Sequence, residues 1–207
     1  MGMKKLVKKS LVTTCAAFAV LLLLACVFSF GQGAPADAKP MKVQCSAQGT
    51  STQSGGLGTI TLEIDAYSTQ QERETLVGAF KESGTAGLTA ALKKQPRKGL
   101  ISIAGQSNVF EVKFVRVMPE STASARKIRL VTDRPIGVGE AMAGRPRTLD
   151  YSLLAVEVTL DMSKIDKSTG VLLPAIELVA DKDTKEVTIK AYQNPWKLFN
   201  FFNFKEK

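Results

Sequence analysis

The chain has no histidine, one tryptophan and three cysteines in 207 residues. The lack of histidine excludes Ser-His-Asp and Cys-His catalysis, histidine-ligated zinc or haem, and a histidine pH switch. No motif in the sequence indicates a metal site or a cofactor site, and we expect neither. What remains is an ordinary globular composition, 44% hydrophobic and 23% charged, in a length that suits one main domain.

The N-terminus is typical of a targeting segment. Four lysines between residues 4 and 9 precede a run of twenty uncharged residues, 11–30. Ala36 and Ala38 follow at the spacing that signal peptidase recognises. We therefore predict export, to the periplasm or out of the cell, with residues 1–38 removed as a signal peptide. Because the uncharged run is long enough to span a bilayer, a retained membrane anchor is the alternative.

The cysteines offer one further possibility and one exclusion. Leu23-Leu24-Ala25-Cys26 resembles a bacterial lipobox, so lipidation of Cys26 is a minor alternative to cleavage after Ala38. Cleavage after Ala38 leaves Cys45 as the only cysteine, which excludes an intramolecular disulfide. The stability of the exported protein must then come from its hydrophobic core.

The exported part divides into a tether with a first strand (39–56), an α+β domain (57–193) and an aromatic tail (194–207). The clearest strand is 59–65, where Ile and Leu alternate with Thr, Glu and Asp. Further strands are predicted at 99–104, 109–117, 125–132, 152–161, 171–179 and 186–192, with a hairpin turn at 181–184 between the last two.

Helical signals are confined to residues 69–95. Ser68 or Thr69 begins a helix, with Gln71 or Glu72 completing a capping box. Gly84 ends this helix and Thr85 begins a second one, which predicts a helical hairpin.

Together the patterns predict an α+β fold in which the helical hairpin is inserted into an antiparallel sheet of about seven or eight strands. A sheet of that size curls into a sandwich or a partly closed barrel, with the helices covering one face or opening. The pattern alone does not decide between the two.

Several ordered motifs resemble one protein family. They are Ser68–Leu76, Arg97–Gly99, Leu130–Ile136, Arg147–Tyr151 and Glu177–Tyr192. In this order they resemble a family of exported bacterial proteins that has no assigned activity. The resemblance implies export and a shared fold, and it assigns no catalytic residue.

The long loop after residue 133 carries the candidate ligand-binding residues, which are Asp133, Arg134, Arg145, Arg147 and Tyr151. Arginine forks match carboxylates and phosphates, so these residues could hold an anionic group. The simpler interpretation is local, with Asp133 bonding its own turn and Arg134 paired to a carboxylate. Asp133 with Glu140 or Asp150 could also form an acid pair for hydrolysis.

The C-terminal tail concentrates the aromatic residues Trp196, Phe199, Phe201, Phe202 and Phe204. If the tail is a regular strand, one face carries Trp196, Leu198, Asn200, Phe202 and Phe204. The other face then carries Phe199, Phe201 and Asn203. The tail either docks into the core or is exposed, where it could contact a membrane or a partner.

The leading functional hypothesis is a non-catalytic domain of the cell envelope that binds a ligand or a protein partner. Removal of residues 1–38 leaves 24 Lys and Arg against 18 Asp and Glu, a net charge of +6 that favours anionic envelope polymers or lipid headgroups. An apolar ligand or partner could instead bind at the sheet opening or the aromatic tail, and nucleic acid is not expected after export. The alternatives are a histidine-free hydrolase that acts on an envelope polymer and a structural or assembly protein of the envelope.

Overall fold

A computed structural model of the chain describes residues 38–49, 57–136, 151–180, 187–191 and 194–207. Within those ranges the strands are β1 (Met41–Gly49), β2 (Leu57–Ile64), β3 (Gly99–Ile103), β4 (Val109–Val117), β5 (Ala125–Thr132), β6 (Leu153–Asp161), β7 (Thr169–Ala180), β8 (Val187–Ala191) and β9 (Trp196–Glu206). They also contain one α-helix, α1 (Gln70–Lys94), and a short 3-10 helix (Ile165–Lys167).

The strands form a closed antiparallel barrel. Each strand from β1 to β6 pairs with the next, β6 pairs with β7, β7 pairs with β9, and β9 returns to β1. The ring therefore has eight members, and closure leaves it without free edges. The predicted antiparallel sheet is confirmed, and its form is a barrel rather than a sandwich.

Strand β7 changes its partner along its length. Residues Gly170 to Leu172 pair with β9, whereas Ile176 to Ala180 pair with β8, which lies outside the ring. Pro174 separates the two stretches, and its carbonyl oxygen accepts a hydrogen bond from the Ile136 N–H. A proline has no N–H to donate to a ladder, which suits the point where the partners change.

The interior of the barrel is filled by side chains that alternate along the strands, and we call this set the inner core. On β2 the predicted alternation is confirmed, because Ile60, Leu62 and Ile64 are all buried there. Cys45 of β1 is fully buried in the same core, and burial raises the pKa of its thiol to about 12. Cys45 is therefore an apolar packing residue.

The helix begins as predicted but differs in its course. The Thr69 hydroxyl accepts a hydrogen bond from the Glu72 N–H, and the Glu72 carboxylate accepts one from the Thr69 N–H, which completes the capping box. The predicted hairpin of two helices is wrong, because one helical element runs from Gln70 to Lys94 with a kink at Ser83 and Gly84.

The kink is sharp because Gly84 adopts φ 59° and ψ −149°, which a residue with a side chain rarely adopts. The change of direction brings Gly87 against the first half of the helix. A Cβ atom at Gly87 would lie 2.8 Å from the Ser83 Cβ and would also overlap the Ala79 carbonyl oxygen. Helical geometry resumes at once on both sides, so the kink takes the place of the expected loop.

Two hydroxyl residues fasten α1 to the outside of the barrel. The Ser68 hydroxyl accepts a hydrogen bond from the Val115 N–H, and the Ser68 N–H donates one to the Val115 carbonyl. The Thr85 hydroxyl accepts a hydrogen bond from the Leu178 N–H and donates one to the Leu178 carbonyl. Thr85 therefore anchors the helix to β7, where Leu178 lies beyond the last residue that pairs with β6. This arrangement satisfies the N–H and carbonyl of Leu178 on the side of β7 where β6 no longer pairs.

Between α1 and the barrel wall lies a second hydrophobic cluster, which we call the outer layer. Its members are Leu76, Phe80, Leu88, Leu92, Phe114, Val131, Leu153, Ala155, Ile176 and Leu178. The strand residues point away from the inner core, so this part of the wall is apolar on both sides. The helix therefore covers the outside of the barrel wall.

The aromatic C-terminal segment is a barrel strand between β1 and β7, but the predicted regular alternation is wrong. Asn200 and Asn203 have φ values of 51° and 50°, and the pairing with β1 shifts at two nearby positions. Each irregularity inserts one residue, so Leu198 and Phe201 are both buried although they are three residues apart. In the repeated Phe-Asn-Phe sequence, burial therefore recurs every three residues instead of every two.

Residues 1–37 of the predicted signal peptide, including Cys26, and the predicted turn at 181–184 lie outside the described residues. Among the residues that are described, no helix combines the length and the apolar character needed to cross a bilayer.

Candidate functional site

An apolar cleft opens where α1 lies over strands β4 and β5. Both halves of the kinked helix and the outer face of the two strands contribute to it. Its apolar lining includes Leu76, Leu88, Leu92, Phe114, Met118 and Val131. The cleft is thus an opening into the outer layer.

The cleft is narrow. Its volume is about 50 Å³, whereas one water molecule needs roughly 10–15 Å³ by the same kind of measure. The space suits a thin apolar group such as a few methylenes of an acyl chain. A compact ring system of drug size would need the helix to move.

Three arginines also line this cleft. Arg73 comes from the first half of α1, Arg116 from β4 and Arg129 from β5. Arg116 and Arg129 are direct partners in the strand register. Two like charges opposite each other are destabilising by themselves, so this pair indicates a counter-charge, either in the protein or in a ligand.

The counter-charge within the protein comes from Glu157 on β6, the register partner of Arg129. Its carboxylate accepts hydrogen bonds from Arg129 and, at 3.0 Å, from Lys127. Burial acts to raise the pKa of Glu157, but these two cations outweigh burial and lower the pKa. One carboxylate thus serves two cations, and Arg116 forms no ion pair within the described part of the chain.

Apolar lining and arginines together define what the cleft can do. An apolar group can enter between helix and wall, while a carboxylate or phosphate at its mouth meets the guanidinium groups. Arginine binds both anions with paired hydrogen bonds. The arrangement is suited to binding and orienting a ligand.

The predicted ligand-binding residues that the structure describes do not line the cleft, and the others lie outside the described residues. Asp133 and Arg134 follow β5 at one end of the barrel, and Tyr151 is half-buried just before β6. The Arg134 guanidinium lies 4.3 Å from the ring centroid of Phe110. It also donates a hydrogen bond to the Val109 carbonyl.

Both contacts are with residues of β4, where a guanidinium over an aromatic face is held by packing, and the predicted pairing of Arg134 with a carboxylate stays a prediction. Arg134 is not among the residues that line the cleft. Arg145 and Arg147 lie outside the described residues, as do Glu140 and Asp150, the predicted partners of Asp133 in an acid pair.

Neither Arg116 nor Arg129 is among the residues that the sequence predicts for a site. A signal was present, because each stands between two aliphatic residues, in Val-Arg-Val and Ile-Arg-Leu. Since alternate strand residues point to opposite faces, burial of both aliphatic neighbours puts the arginine outside. The missing information was the register that sets the two arginines side by side.

Comparison of the chain with known protein families, with curated proteins and with solved structures finds no match. The predicted relationship to a family of exported bacterial proteins stays a prediction.

Proposed function

We propose that this protein is an exported, non-catalytic envelope protein that binds an anionic amphiphile in the cleft between α1 and the barrel. The apolar tail of the ligand enters the outer layer, and Arg116 with Arg129 holds its carboxylate or phosphate. One observation carries the proposal: an apolar opening with a directly opposed arginine pair at its lining, of which Arg116 forms no ion pair within the described residues.

The dimensions of the cleft indicate the ligand class and its affinity. Each buried methylene contributes about 0.8 kcal/mol and a charge-assisted hydrogen bond roughly 1.5–3 kcal/mol. A few methylenes and one such bond correspond to a dissociation constant between about 1 mM and 1 μM. We therefore propose a single-chain amphiphile that is carried or sensed rather than tightly stored.

Calorimetric titration of protein made from the full chain tests this proposal, with decanoate and its uncharged counterpart decanol as probes. We expect decanoate to bind and Arg116→Gln to weaken it about tenfold, the effect of losing a charge-assisted hydrogen bond. Arg97→Gln is the matched control, because Arg97 lies outside the cleft and 3.9 Å from Asp65.

Decanol should bind the wild type and Arg116→Gln equally. Failure of wild-type protein to bind decanoate, or equal decanoate binding by Arg116→Gln, would refute the cleft as the site.

Export is tested separately by the native mass of the protein isolated from its own envelope. A mass that begins at Lys39 supports the signal peptide. A mass that begins at an acylated Cys26 replaces it with a lipid anchor, and an intact N-terminus replaces it with a retained membrane segment.

The two alternative functions have no supporting observation among the described residues. The hydrolase hypothesis needs Glu140 or Asp150 beside Asp133, and both of these acids lie outside the described residues. The assembly hypothesis relied on an exposed aromatic tail, whereas Trp196 to Glu206 is the strand that closes the barrel.

A further inference from the structure

A second concave site lies on the outer wall of the barrel between β1 and β9. It is lined by Lys42 and Gln44 from β1 and by Asn203 and Lys205 from β9. Its volume is about 340 Å³, within the range of sites for small molecules. We call these four residues the amide groove.

The amide groove is positively charged. Lys42 and Lys205 are direct partners in the strand register, a second pair of opposed like charges. Lys42 is 3.5 Å from Glu63, but the same carboxylate also contacts Lys207 at 2.8 Å. Lys205 forms no ion pair with any residue that the structure describes. The groove therefore favours an anion.

The side-chain amides of Gln44 and Asn203 lie between the two lysines, and hydrogen bonds orient both amides. The Asn203 side-chain N–H donates to the Gln44 side-chain oxygen, and the Gln44 N–H donates to the Thr61 hydroxyl at 3.2 Å. Each side-chain amide has two N–H donors and one oxygen that accepts two bonds. Most of this capacity remains for a ligand rich in hydroxyl groups.

The β-bulge at Asn203 is what places its amide in the groove. Asn203 has φ 50°, a conformation uncommon for residues other than glycine, and bulges often redirect a side chain beside a functional site. Its neighbour Phe202 is the register partner of Gln44 and is half-buried on the outer wall. Because residues opposite each other in an antiparallel register share a face of the sheet, Phe202 places an aromatic ring next to Gln44, beside the four lining residues rather than among them.

We propose that the amide groove binds an acidic saccharide, a hydroxylated sugar ring that carries a carboxylate or a phosphate. The lysines attract the oxyanion, the amides bond the hydroxyl groups, and the apolar C–H face of the ring packs on Phe202. This proposal is independent of the cleft under α1, with which it shares no residue.

Calorimetric titration of protein made from the full chain with trigalacturonate and with glucose 6-phosphate tests the proposal. Binding of either probe supports it, and the preferred probe identifies carboxylate or phosphate as the oxyanion. We expect Lys205→Gln to weaken binding about tenfold, as for loss of one charge-assisted hydrogen bond.

Asn203→Gly tests the amide itself, because glycine keeps the left-handed backbone and removes only the side chain. We expect at least about twofold weaker binding, the lower end for loss of a neutral hydrogen bond. Asn200→Gly is the matched control, since Asn200 has the same backbone conformation but does not line the groove. Its binding should equal that of the wild type.

Three results would overturn the proposal. They are no binding of either probe, equally tight binding of neutral galactotriose, and undiminished binding by both Lys205→Gln and Asn203→Gly. Inorganic phosphate that binds as tightly as glucose 6-phosphate would exclude recognition of the sugar. Thermal unfolding of each variant verifies its fold, and the exposed position of Lys205 makes that variant the safer test.

Discussion

The two apolar regions of this molecule differ in what surrounds them. The inner core is enclosed by a closed ring of strands and consists of buried apolar side chains. The outer layer is covered by one kinked helix, and it remains open at a cleft that three arginines line. Of the two regions, only the outer layer combines accessible apolar surface with charge, so we expect ligand access there and the larger contribution to stability from the inner core.

The inner core should respond more strongly to loss of side-chain volume. Leu198→Ala in the inner core should cost about 4–5 kcal/mol of unfolding free energy, and Leu88→Ala beside the cleft about 2–3 kcal/mol. The reason is that a closed barrel cannot collapse around a cavity, whereas the helix can settle toward the wall. Urea unfolding of both variants measures the difference, and equal costs would show that the two regions are packed alike.

The kink in α1 should be the next most sensitive feature. Gly87→Ala should destabilise by about 1–3 kcal/mol, since the added methyl group overlaps Ser83 and the backbone of Ala79. Gly78→Ala is its control on the same helix, where an added methyl group meets no atom within 4 Å. That control should be neutral or up to about 1 kcal/mol more stable because alanine favours helix. Calorimetric unfolding distinguishes them, and a stable Gly87→Ala variant would mean that the helix halves are not in contact.

The hydroxyl that anchors the helix should have a smaller effect. Thr85→Val keeps the shape but leaves the Leu178 N–H and carbonyl without the bonds from Thr85, at a cost of about 1–2 kcal/mol. Hydrogen exchange should then accelerate at Leu178. Thr75→Val removes an exposed hydroxyl that bonds only its own helix at Gln71, and it should leave both stability and exchange at Leu178 unchanged.

The charged edge of the outer layer should give the smallest effect, which appears in how the unfolding free energy declines in acid. The folded-state pKa of Glu157 is lowered, so its contribution to stability is present above the unfolded pKa of about 4.3 and is lost as pH falls through the lower folded value. Glu157→Gln should therefore flatten the decline of unfolding free energy below about pH 4.5. Glu82→Gln, an exposed change on α1, should retain the wild-type profile, and identical profiles for all three proteins would exclude this role of Glu157.

Local signals predicted local structure well. The alternation around Ile60 and Leu62 identified β2, and the Thr69–Glu72 capping box identified the start of α1. Both depend on neighbours within a few residues. The strand that begins at Trp196 was harder, because Asn200 and Asn203 adopt left-handed conformations and change which residues face inward. A period of two cannot anticipate an inserted residue.

The candidate sites depend on contacts between distant segments. Arg116 and Arg129 become neighbours only through the register of β4 with β5, and Lys42 meets Lys205 only because the last strand pairs with the first. Single-sequence patterns contain no information on register across such separations. For that reason the predicted sites stayed in the loop after residue 133, where candidate residues were close along the chain.

Pairing of β1 with β9 also has a kinetic consequence. Met41 lies opposite Glu206, and the Lys207 N–H bonds the Pro40 carbonyl, so the ring joins residues more than 160 positions apart. Bringing together residues that are so far apart in the sequence costs loop-closure entropy before any contact forms. Topologies of this kind therefore fold slowly. During synthesis, β1 has no partner on its β9 side until the eleven-residue strand β9 has emerged. Closure of the barrel therefore has to wait for β9, whichever strands have paired before it.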